Sequence, residues 1–294
     1  MSEPFARAYA ACETLARSHY ENFPVASRLL PRAMRPHIAA LYAFARVADD
    51  LADEGSAPAE YRREQLAAWR RRLHAAVLVE AVAAPPHADD DLILIAIGHS
   101  IRTFNLPMAL FDDLVSAFGQ DTMTCRYASW AEVLDYCRRS ANPVGRLVLR
   151  IAGWDNEALD RSSDALCTAL QLTNFWQDFG RDWRAGRLYV PRDVFAACGA
   201  REDDLAGGRM TPEWSDALGR AVRVTRDLFA AGRRVCDEAG GRLGIELKLT
   251  WLGGARILDE VDRTRDRALD TRPTLGRWDV PPLLWQAVRW RRAA

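Results

Sequence analysis

The chain has 294 residues, and its 40 basic residues balance its 40 acidic ones, so the formal net charge is zero. This balance argues against a general nucleic-acid-binding protein, which needs a net basic surface. The longest uninterrupted apolar run, residues 92–97, is too short to cross a bilayer. The six cysteines are scattered, without the spacing of a zinc site or of a disulfide framework. We therefore expect a cytoplasmic protein with no nucleic-acid partner.

Helical periodicity runs through the chain. In residues 35–54, apolar side chains recur at the spacing of a buried helical stripe, formed by Ile38, Leu41, Tyr42, Ala45 and Ala48. Similar patterns follow at residues 60–82, 91–104, 107–119, 129–138, 143–153, 157–183, 213–239 and 244–270. Strand patterns are nearly absent, and prolines fall where helices should begin or end. The sequence predicts a single all-α domain over residues 1–294, built from about ten helices.

Two of these helices carry carboxylates four residues apart. The pairs are Asp49 with Asp53 and Asp178 with Asp182, the second extended by Asn174 one turn earlier. Residues at this spacing share one face of a helix, where like charges destabilise the helix by a few tenths of a kcal/mol. A solvated helix face is the alternative interpretation of either pair, and Arg46 with Asp50 is equally consistent with a surface ion pair.

The repetition of the pattern within apolar helices favours a metal site. Two facing acidic pairs present the oxygen ligands that Mg²⁺ prefers, and Asn174 adds a neutral oxygen. Because Mg²⁺ keeps positions for water and phosphate, a diphosphate group is the simplest partner. The aromatic residues around Asn174 would form the walls of a cavity for a lipid-like tail, and they would stabilise a carbocation by cation–π attraction. Gly180 costs a helix about 1 kcal/mol relative to alanine, which predicts a close approach of another element or of substrate.

Three segments together resemble the squalene/phytoene synthase family of head-to-head prenyl diphosphate synthases. They are HYENFPVASRLLP, LYAFARVADDLAD and QLTNFWQDFGRDWRAGRLYVP, which begin at residues 19, 41 and 171 in the family's order and spacing. The resemblance extends from about residue 15 to 270. It implies an isoprenoid-synthase-type helical bundle around a central cavity and an Mg²⁺-dependent enzyme that acts on presqualene diphosphate or farnesyl diphosphate.

The resemblance also implies roles for individual residues. Asp49 and Asp53 would form the first metal motif, and Asn174, Asp178 and Asp182 the second. The side chains that contact the substrate or take part in the reaction would be those of Tyr42, Arg46, Gln171, Arg187 and Tyr189. His19 would head a phosphate-proximal segment that includes Asn22, which replaces a serine found in carotenoid-type members.

Other positions depart from the common family pattern. Gln177 replaces an arginine, Arg181 replaces an acidic residue, and Gly254 replaces a tyrosine that lines the site in several members. With YCRRSANPVGR at residues 136–146, these departures resemble the hydroxysqualene synthase branch of the family. We hypothesise that Asn142, Arg138 and Gln177 hold polar groups or water near the cation.

The reaction implied by that branch starts from presqualene diphosphate. Loss of diphosphate gives a cyclopropylcarbinyl cation, which rearranges and is captured by water instead of hydride. NADPH is therefore not expected. Synthesis of presqualene diphosphate, squalene or phytoene from farnesyl or geranylgeranyl diphosphate stays open, as do a terpene cyclase and a non-enzymatic helical scaffold.

Residues 277–292 mix arginines with Trp278, Trp285 and Trp290. Tryptophan and arginine together are typical of a membrane interface. The alternative is a terminal helix that docks on the body of the protein. We expect peripheral contact with the inner membrane surface, and other squalene-pathway enzymes as partners.

Overall fold

The computed structural model describes residues 3–18, 29–53, 57–78 and 89–291. Fifteen α-helices and a short 3-10 helix at Arg265–Arg267 follow one another within these ranges. The α-helices are α1 Glu3–Ser18, α2 Arg35–Asp53, α3 Ala59–Leu78, α4 Asp89–Phe104, α5 Met108–Asp121, α6 Trp130–Ser140, α7 Asn142–Ile151, α8 Glu157–Gln177, α9 Phe179–Arg184, α10 Arg192–Ala196, α11 Glu202–Ala206, α12 Pro212–Ala231, α13 Arg233–Glu238, α14 Gly241–Arg263 and α15 Val280–Val288. The described part of the chain has no strand, only an isolated bridge between Arg126 and Leu188. The all-α prediction is confirmed.

The chain divides into two compact units. The first unit consists of residues 1–123, as far as the structure describes them, and residues 143–156. In this unit α2 packs against α1, α3, α4 and α5. Phe44 of α2 lies at its centre, with its ring 5.6 Å from Trp69 and 5.5 Å from Phe111. Of the predicted stripe on α2, Ile38, Leu41 and Ala48 are buried, whereas Tyr42 and Ala45 are partly exposed.

The second unit comprises residues 124–142 and the described residues from 157 onward. Its central element is α8, which packs against α6, α12, α13 and α14. Trp176 of α8 is almost fully buried, and its indole Nε1 donates to Thr225 Oγ1 of α12 at 2.9 Å. This burial orients α8 so that Gln171 and Asn174 lie on a partly exposed face, although other polar residues of the helix, such as Thr173, are buried.

Several predicted helix boundaries were wrong. The helix predicted over 157–183 is interrupted at Asp178, and the one predicted over 213–239 is divided at Gly232. The helix predicted over 244–270 runs over Gly241–Arg263 instead. None of the described helices combines the length and the apolar composition that a membrane span requires.

Candidate active site

The first acidic pair lies on a polar face of α2. Tyr42, Arg46, Asp49 and Asp53 follow one another at three- or four-residue intervals, and all four are at least partly exposed. The Arg46 guanidinium is 3.5 Å from a carboxylate oxygen of Asp49 and 2.7 Å from one of Asp50. This face therefore carries carboxylates that an arginine partly neutralises.

The second acidic pair begins where α8 ends. Asp178 has φ −94° and ψ 11°, in the sparsely populated bridge region where many active-site residues occur. The Asn174 amide donates to Asp178 Oδ2 at 3.1 Å, as the four-residue spacing predicts. Gln171 lies on the same face one turn before Asn174 and is partly exposed.

Gly180 of α9 lies in close contact with another segment of the backbone. A Cβ added at Gly180 would lie 2.0 Å from the carbonyl oxygen of Leu269, which is far inside the contact distance of any atom pair. The same carbonyl oxygen accepts from Nη1 of Arg184 at 2.9 Å. The predicted close approach at Gly180 is confirmed, and the approaching element is the backbone that follows α14.

Arginines neutralise both carboxylates of the second pair. Arg272 places Nε 2.5 Å from Asp178 Oδ1 and Nη2 3.2 Å from Asp178 Oδ2. Arg187 places Nη2 3.5 Å from Asp182 Oδ1, and its backbone N–H donates to the Asp182 carbonyl at 2.7 Å. Only 16% of the Asp178 side chain and 14% of the Asp182 side chain is exposed. At such burial these charge pairs are screened less by solvent than surface pairs are.

Gln177 anchors the segment that carries Arg272. Its side-chain Nε2 donates to the carbonyl oxygen of Pro273 at 2.6 Å. The amide thus fixes the backbone beside Arg272. Its predicted contact with a cation or a water molecule stays a prediction.

An aromatic cluster adjoins the polar face of α8. The rings of Tyr189 and Phe175 stack with centroids 3.7 Å apart and an angle of 2° between their planes. Tyr127 and Tyr136 flank Tyr189 at 5.7 Å and 6.3 Å. Because Phe175 lies four residues after Gln171 on α8, this cluster places π-electron density beside the polar face.

Asn142 and Arg138 occupy different environments. Asn142 is buried, and its Oδ1 accepts from Thr168 Oγ1 of α8 at 2.9 Å. Arg138 is half-exposed and pairs with Asp135 at 2.9 Å. Burial raises the pKa of the Asp135 carboxyl, but hydrogen bonds from Arg138 and Arg139 outweigh it, and the pKa lies below its ordinary value. Asn142 is thus held against α8, whereas Arg138 is engaged at the surface.

The predicted substrate-binding residues His19 and Asn22 lie outside the described residues. Arg272 is the site residue that the sequence interpretation missed. It is 94 residues from Asp178 and belongs to no periodic pattern, so only the folded chain shows the pairing. Leu269 was missed for the same reason, although Gly180 indicated that some group approaches there.

The donor set of both acidic faces suits Mg²⁺, because it consists of carboxylate and amide oxygens. Within the described ranges, no three His, Cys, Asp or Glu side chains converge on a point that could hold a metal ion. Either acidic pair, taken by itself, contributes two carboxylates, so water or phosphate oxygens must complete the coordination of an Mg²⁺ ion bound there. At Asp178 the metal must also displace Arg272. If water or phosphate completes the coordination and Arg272 is displaced, the residues present fit the ion.

Comparison with known proteins places these features in a family context. The family model described as squalene/phytoene synthase matches residues 16–279. The hydroxysqualene synthase of Rhodopseudomonas palustris is 36% identical over 249 residues, 84% of this chain and 80% of that protein. The phytoene synthase of Cereibacter sphaeroides is 38% identical over 246 residues, 81% of this chain and 65% of that protein.

A solved structure gives the same indication for the fold. The crystal structure of squalene synthase HpnC from Alicyclobacillus acidocaldarius matches this chain with a TM-score of 0.81 and 39% sequence identity. The match covers 90% of this chain and 96% of that one. It confirms the predicted isoprenoid-synthase-type helical fold.

Proposed function

Because this chain belongs to the squalene/phytoene synthase family, we propose that it converts presqualene diphosphate to hydroxysqualene. Family membership makes it an enzyme that processes prenyl diphosphates. The similarity to the hydroxysqualene synthase of Rhodopseudomonas palustris supports the specific reaction.

The proposed reaction balances without a reductant. The bond between carbon and the diphosphate oxygen breaks, and the electron pair leaves with diphosphate. The cyclopropylcarbinyl cation rearranges, a water oxygen bonds to the cationic carbon, and that water loses a proton. The products are hydroxysqualene, diphosphate and a proton. No hydride is consumed, so NADPH is not expected.

The observation that carries the proposal is the polar face of α8 beside an aromatic cluster. Gln171, Asn174 and Asp178 supply hydrogen-bonding and charged groups, and the stacked rings of Phe175 and Tyr189 adjoin them. A substrate with a diphosphate head and a hydrocarbon tail requires both kinds of surface. The aromatic faces stabilise positive charge that forms after the diphosphate leaves.

The metal motifs would be Asp49 with Asp53 and Asn174 with Asp178 and Asp182. Bound Mg²⁺ would neutralise the leaving diphosphate. Arg46 lies on the same face as the first motif and Arg187 beside the second, so both can contact phosphate oxygens as fixed cations. Tyr42 shares the face of Arg46 and is partly exposed, so it would orient the substrate head.

The water-capture step would depend on buried polar groups. Asn142 has its Oδ1 engaged by Thr168, which fixes the orientation of the amide. An amide with a fixed orientation can hold a water molecule by its N–H groups. Gln177 and Arg138 would also hold polar groups or water near the cation; Gln177 Nε2 donates to the Pro273 carbonyl and Arg138 pairs with Asp135.

A phytoene-synthase-type condensation is the second candidate. The 38% identity to the phytoene synthase of Cereibacter sphaeroides favours it. In that case, or in synthesis of presqualene diphosphate or squalene, farnesyl or geranylgeranyl diphosphate would occupy the same groups. All these substrates carry long hydrocarbon tails, so the proposal includes peripheral contact with a membrane and other squalene-pathway enzymes as partners.

A product assay separates the candidates. The purified protein is supplied with Mg²⁺ and no NADPH, and presqualene diphosphate, farnesyl diphosphate and geranylgeranyl diphosphate are offered separately. We expect hydroxysqualene from the first and no product from the other two. The variant Asp178→Asn should lose roughly a hundredfold in turnover, as expected for loss of a group that stabilises charge in the transition state. The exposed Asp266→Asn is the matched control. Products made only from farnesyl or geranylgeranyl diphosphate would reject the proposal in favour of the second candidate.

A further inference from the structure

Exposed apolar side chains concentrate in one short segment. Ten large apolar side chains are exposed in the described part of the chain, and six of them lie between residues 275 and 288. Trp278, Trp285 and Val288 are the most open of the six, with 78%, 57% and 71% of their surface exposed. Scattered apolar residues are normal on a protein surface, whereas a contiguous group marks an interaction site.

The helix α15 within this segment is held firmly on its other side. Ala287 is buried, and Trp290 donates from Nε1 to Asp237 Oδ1 at 2.6 Å. The guanidinium of Arg233 lies 4.1 Å over the ring of Trp290, and the Trp251 ring meets it edge-on at 5.3 Å. The docked-helix alternative is therefore correct for this face of α15. The side chains on the opposite face of α15 are therefore exposed although the helix itself is packed on the protein.

The two sides of α15 follow the helical period. The face that packs on the protein carries the less exposed residues, which are three or four positions apart: Leu283, Ala287 and Trp290. Leu284, Trp285 and Val288 fall on the other face, and all three are exposed. The helix thus has an apolar stripe on each side, and the protein covers only one.

Positive charge surrounds the uncovered stripe. Residues 275–291 contain three arginines and one aspartate. The guanidinium of Arg289 lies 4.0 Å over the Trp285 ring, and that of Arg277 lies 5.1 Å over the Trp278 ring. The single aspartate, Asp279, accepts from the backbone N–H of Gly276 at 2.8 Å and lies 3.9 Å from Nε of Arg256, so the arginines of the segment remain in excess.

We infer that this arginine–tryptophan face, formed by Arg277, Trp278, Leu284, Trp285, Val288 and Arg289, docks on an anionic lipid bilayer. The tryptophan rings occupy the boundary between headgroups and acyl chains, and the arginines bind lipid phosphates. A second copy of the chain fits less well, because a two-fold contact would bring the same net positive segment against itself. The apolar stripe is far too short to span the bilayer.

This inference specifies the membrane contact included in the proposed function, and for its biological purpose it rests on that function. A bilayer holds the hydrocarbon tails of both substrate and product, so docking places the enzyme at their source. The binding itself requires no turnover. A vesicle experiment therefore fails or succeeds separately from a product assay.

Co-sedimentation with vesicles tests the inference on the full chain. The vesicles contain equal parts of phosphatidylglycerol and phosphatidylcholine, or phosphatidylcholine alone. We expect the protein to bind the anionic vesicles, and Trp285→Glu to weaken that binding by roughly tenfold, because it puts a charge into the headgroup boundary. Tyr61→Glu is the matched control, since Tyr61 is an exposed aromatic residue outside this face. It should bind as the unmodified protein does.

The double variant Arg277→Gln/Arg289→Gln tests the charge contribution. It should lose most of the preference for anionic over neutral vesicles, whereas thermal unfolding of all variants should stay near that of the unmodified protein. Equal vesicle binding by Trp285→Glu and Tyr61→Glu would overturn the inference. A dimer in sedimentation velocity that dissociates in the Trp285→Glu variant would also overturn it, because the face would then bind a second copy of the chain.

Discussion

Arg272 holds both carboxylate oxygens of Asp178 with two nitrogens of one guanidinium, at 2.5 Å and 3.2 Å. Two parallel N–H to oxygen bonds of this kind are among the strongest hydrogen bonds in proteins. The carboxylate proposed as a metal ligand is thus paired with an internal cation, which a metal ion would have to displace. Gln177 supports this arrangement through its bond to Pro273, the residue next to Arg272.

The first prediction concerns this competition. Replacing Arg272 with Gln removes the internal cation and should raise the affinity for Mn²⁺, which takes the same oxygen ligands as Mg²⁺. A tenfold gain, about 1.4 kcal/mol, is the expected size. Electron paramagnetic resonance of Mn²⁺ without substrate measures it directly. Arg263→Gln, which breaks an exposed pair with Glu260, is the control and should change nothing. An unaltered Mn²⁺ affinity in the Arg272 variant would contradict the displacement.

The second prediction concerns the close contact at Gly180. A methyl group at Gly180 would overlap the Leu269 backbone, which cannot move aside as a flexible side chain can. Gly180→Ala should therefore lower the free energy of unfolding by about 2 to 3 kcal/mol. Urea denaturation provides the measurement.

Gly119→Ala is the matched control for that substitution. Gly119 lies inside α5, and a methyl group there meets nothing within 4 Å. The better helix propensity of alanine should stabilise the protein by about 0.5 to 1 kcal/mol. If both alanine variants shifted stability in the same direction, the close contact at Leu269 would not be the cause.

The third prediction concerns the fate of the cation. Asn142→Ala removes the amide that Thr168 orients. Under the water-capture proposal, turnover of presqualene diphosphate should shift from hydroxysqualene toward products of proton loss. Thr168→Val, which keeps the amide but frees its orientation, should show a smaller shift. Mass spectrometry of the extracts gives the product ratio, and an unchanged ratio in the Asn142 variant would remove its role.

The fourth prediction concerns pH. The hydroxyl of Tyr9 in α1 is hydrogen-bonded to Nδ1 of His37 in α2 at 3.0 Å. It also lies 2.8 Å from both Nδ1 of His99 and Oγ of Ser100 in α4. Burial and the neighbouring His99 lower the pKa of His37 from 6.5 to about 4. Between these values the unfolded chain binds more protons than the folded one, so the free energy of unfolding falls as the pH is lowered through this range.

His37→Gln should make that dependence shallower between pH 6.5 and about 4. The pKa of His99 is also lowered, by burial first and then by Arg102, so part of the slope remains. Urea denaturation at several pH values gives the slope. His74→Gln removes an exposed histidine bound to Asp112 and is the control. A slope that His37→Gln leaves unaltered would show that this histidine does not titrate differently on unfolding.

Local periodicity explains what the sequence predicts correctly. The buried positions Ile38, Leu41 and Ala48 follow from helical spacing alone, and so does the Asn174–Asp178 contact. Gly180 indicated a close approach because a helical glycine is costly without one. These features depend on residues within a few turns of each other.

Contacts between distant segments could not be predicted in the same way. The pairing of Arg272 with Asp178 and the approach of Leu269 to Gly180 join positions far apart in the chain. Either contact depends on where the chain runs after α14, which no local pattern specifies. At Gly254, a Cβ would lie 2.5 Å from Leu170 Cδ2 and 2.9 Å from Phe229 Cζ. A large side chain in place of Gly254, such as tyrosine, would therefore require α14 to pack differently.

The most direct test of the proposed reaction uses water labelled with ¹⁸O. Turnover of presqualene diphosphate in this solvent, with Mg²⁺ and without NADPH, should give hydroxysqualene whose hydroxyl oxygen carries the heavy isotope. Mass spectrometry of the extracted alcohol reads the label. Full incorporation would support capture of the cation by solvent water in this protein. An unlabelled alcohol, or a hydrocarbon with no oxygen, would contradict the proposal.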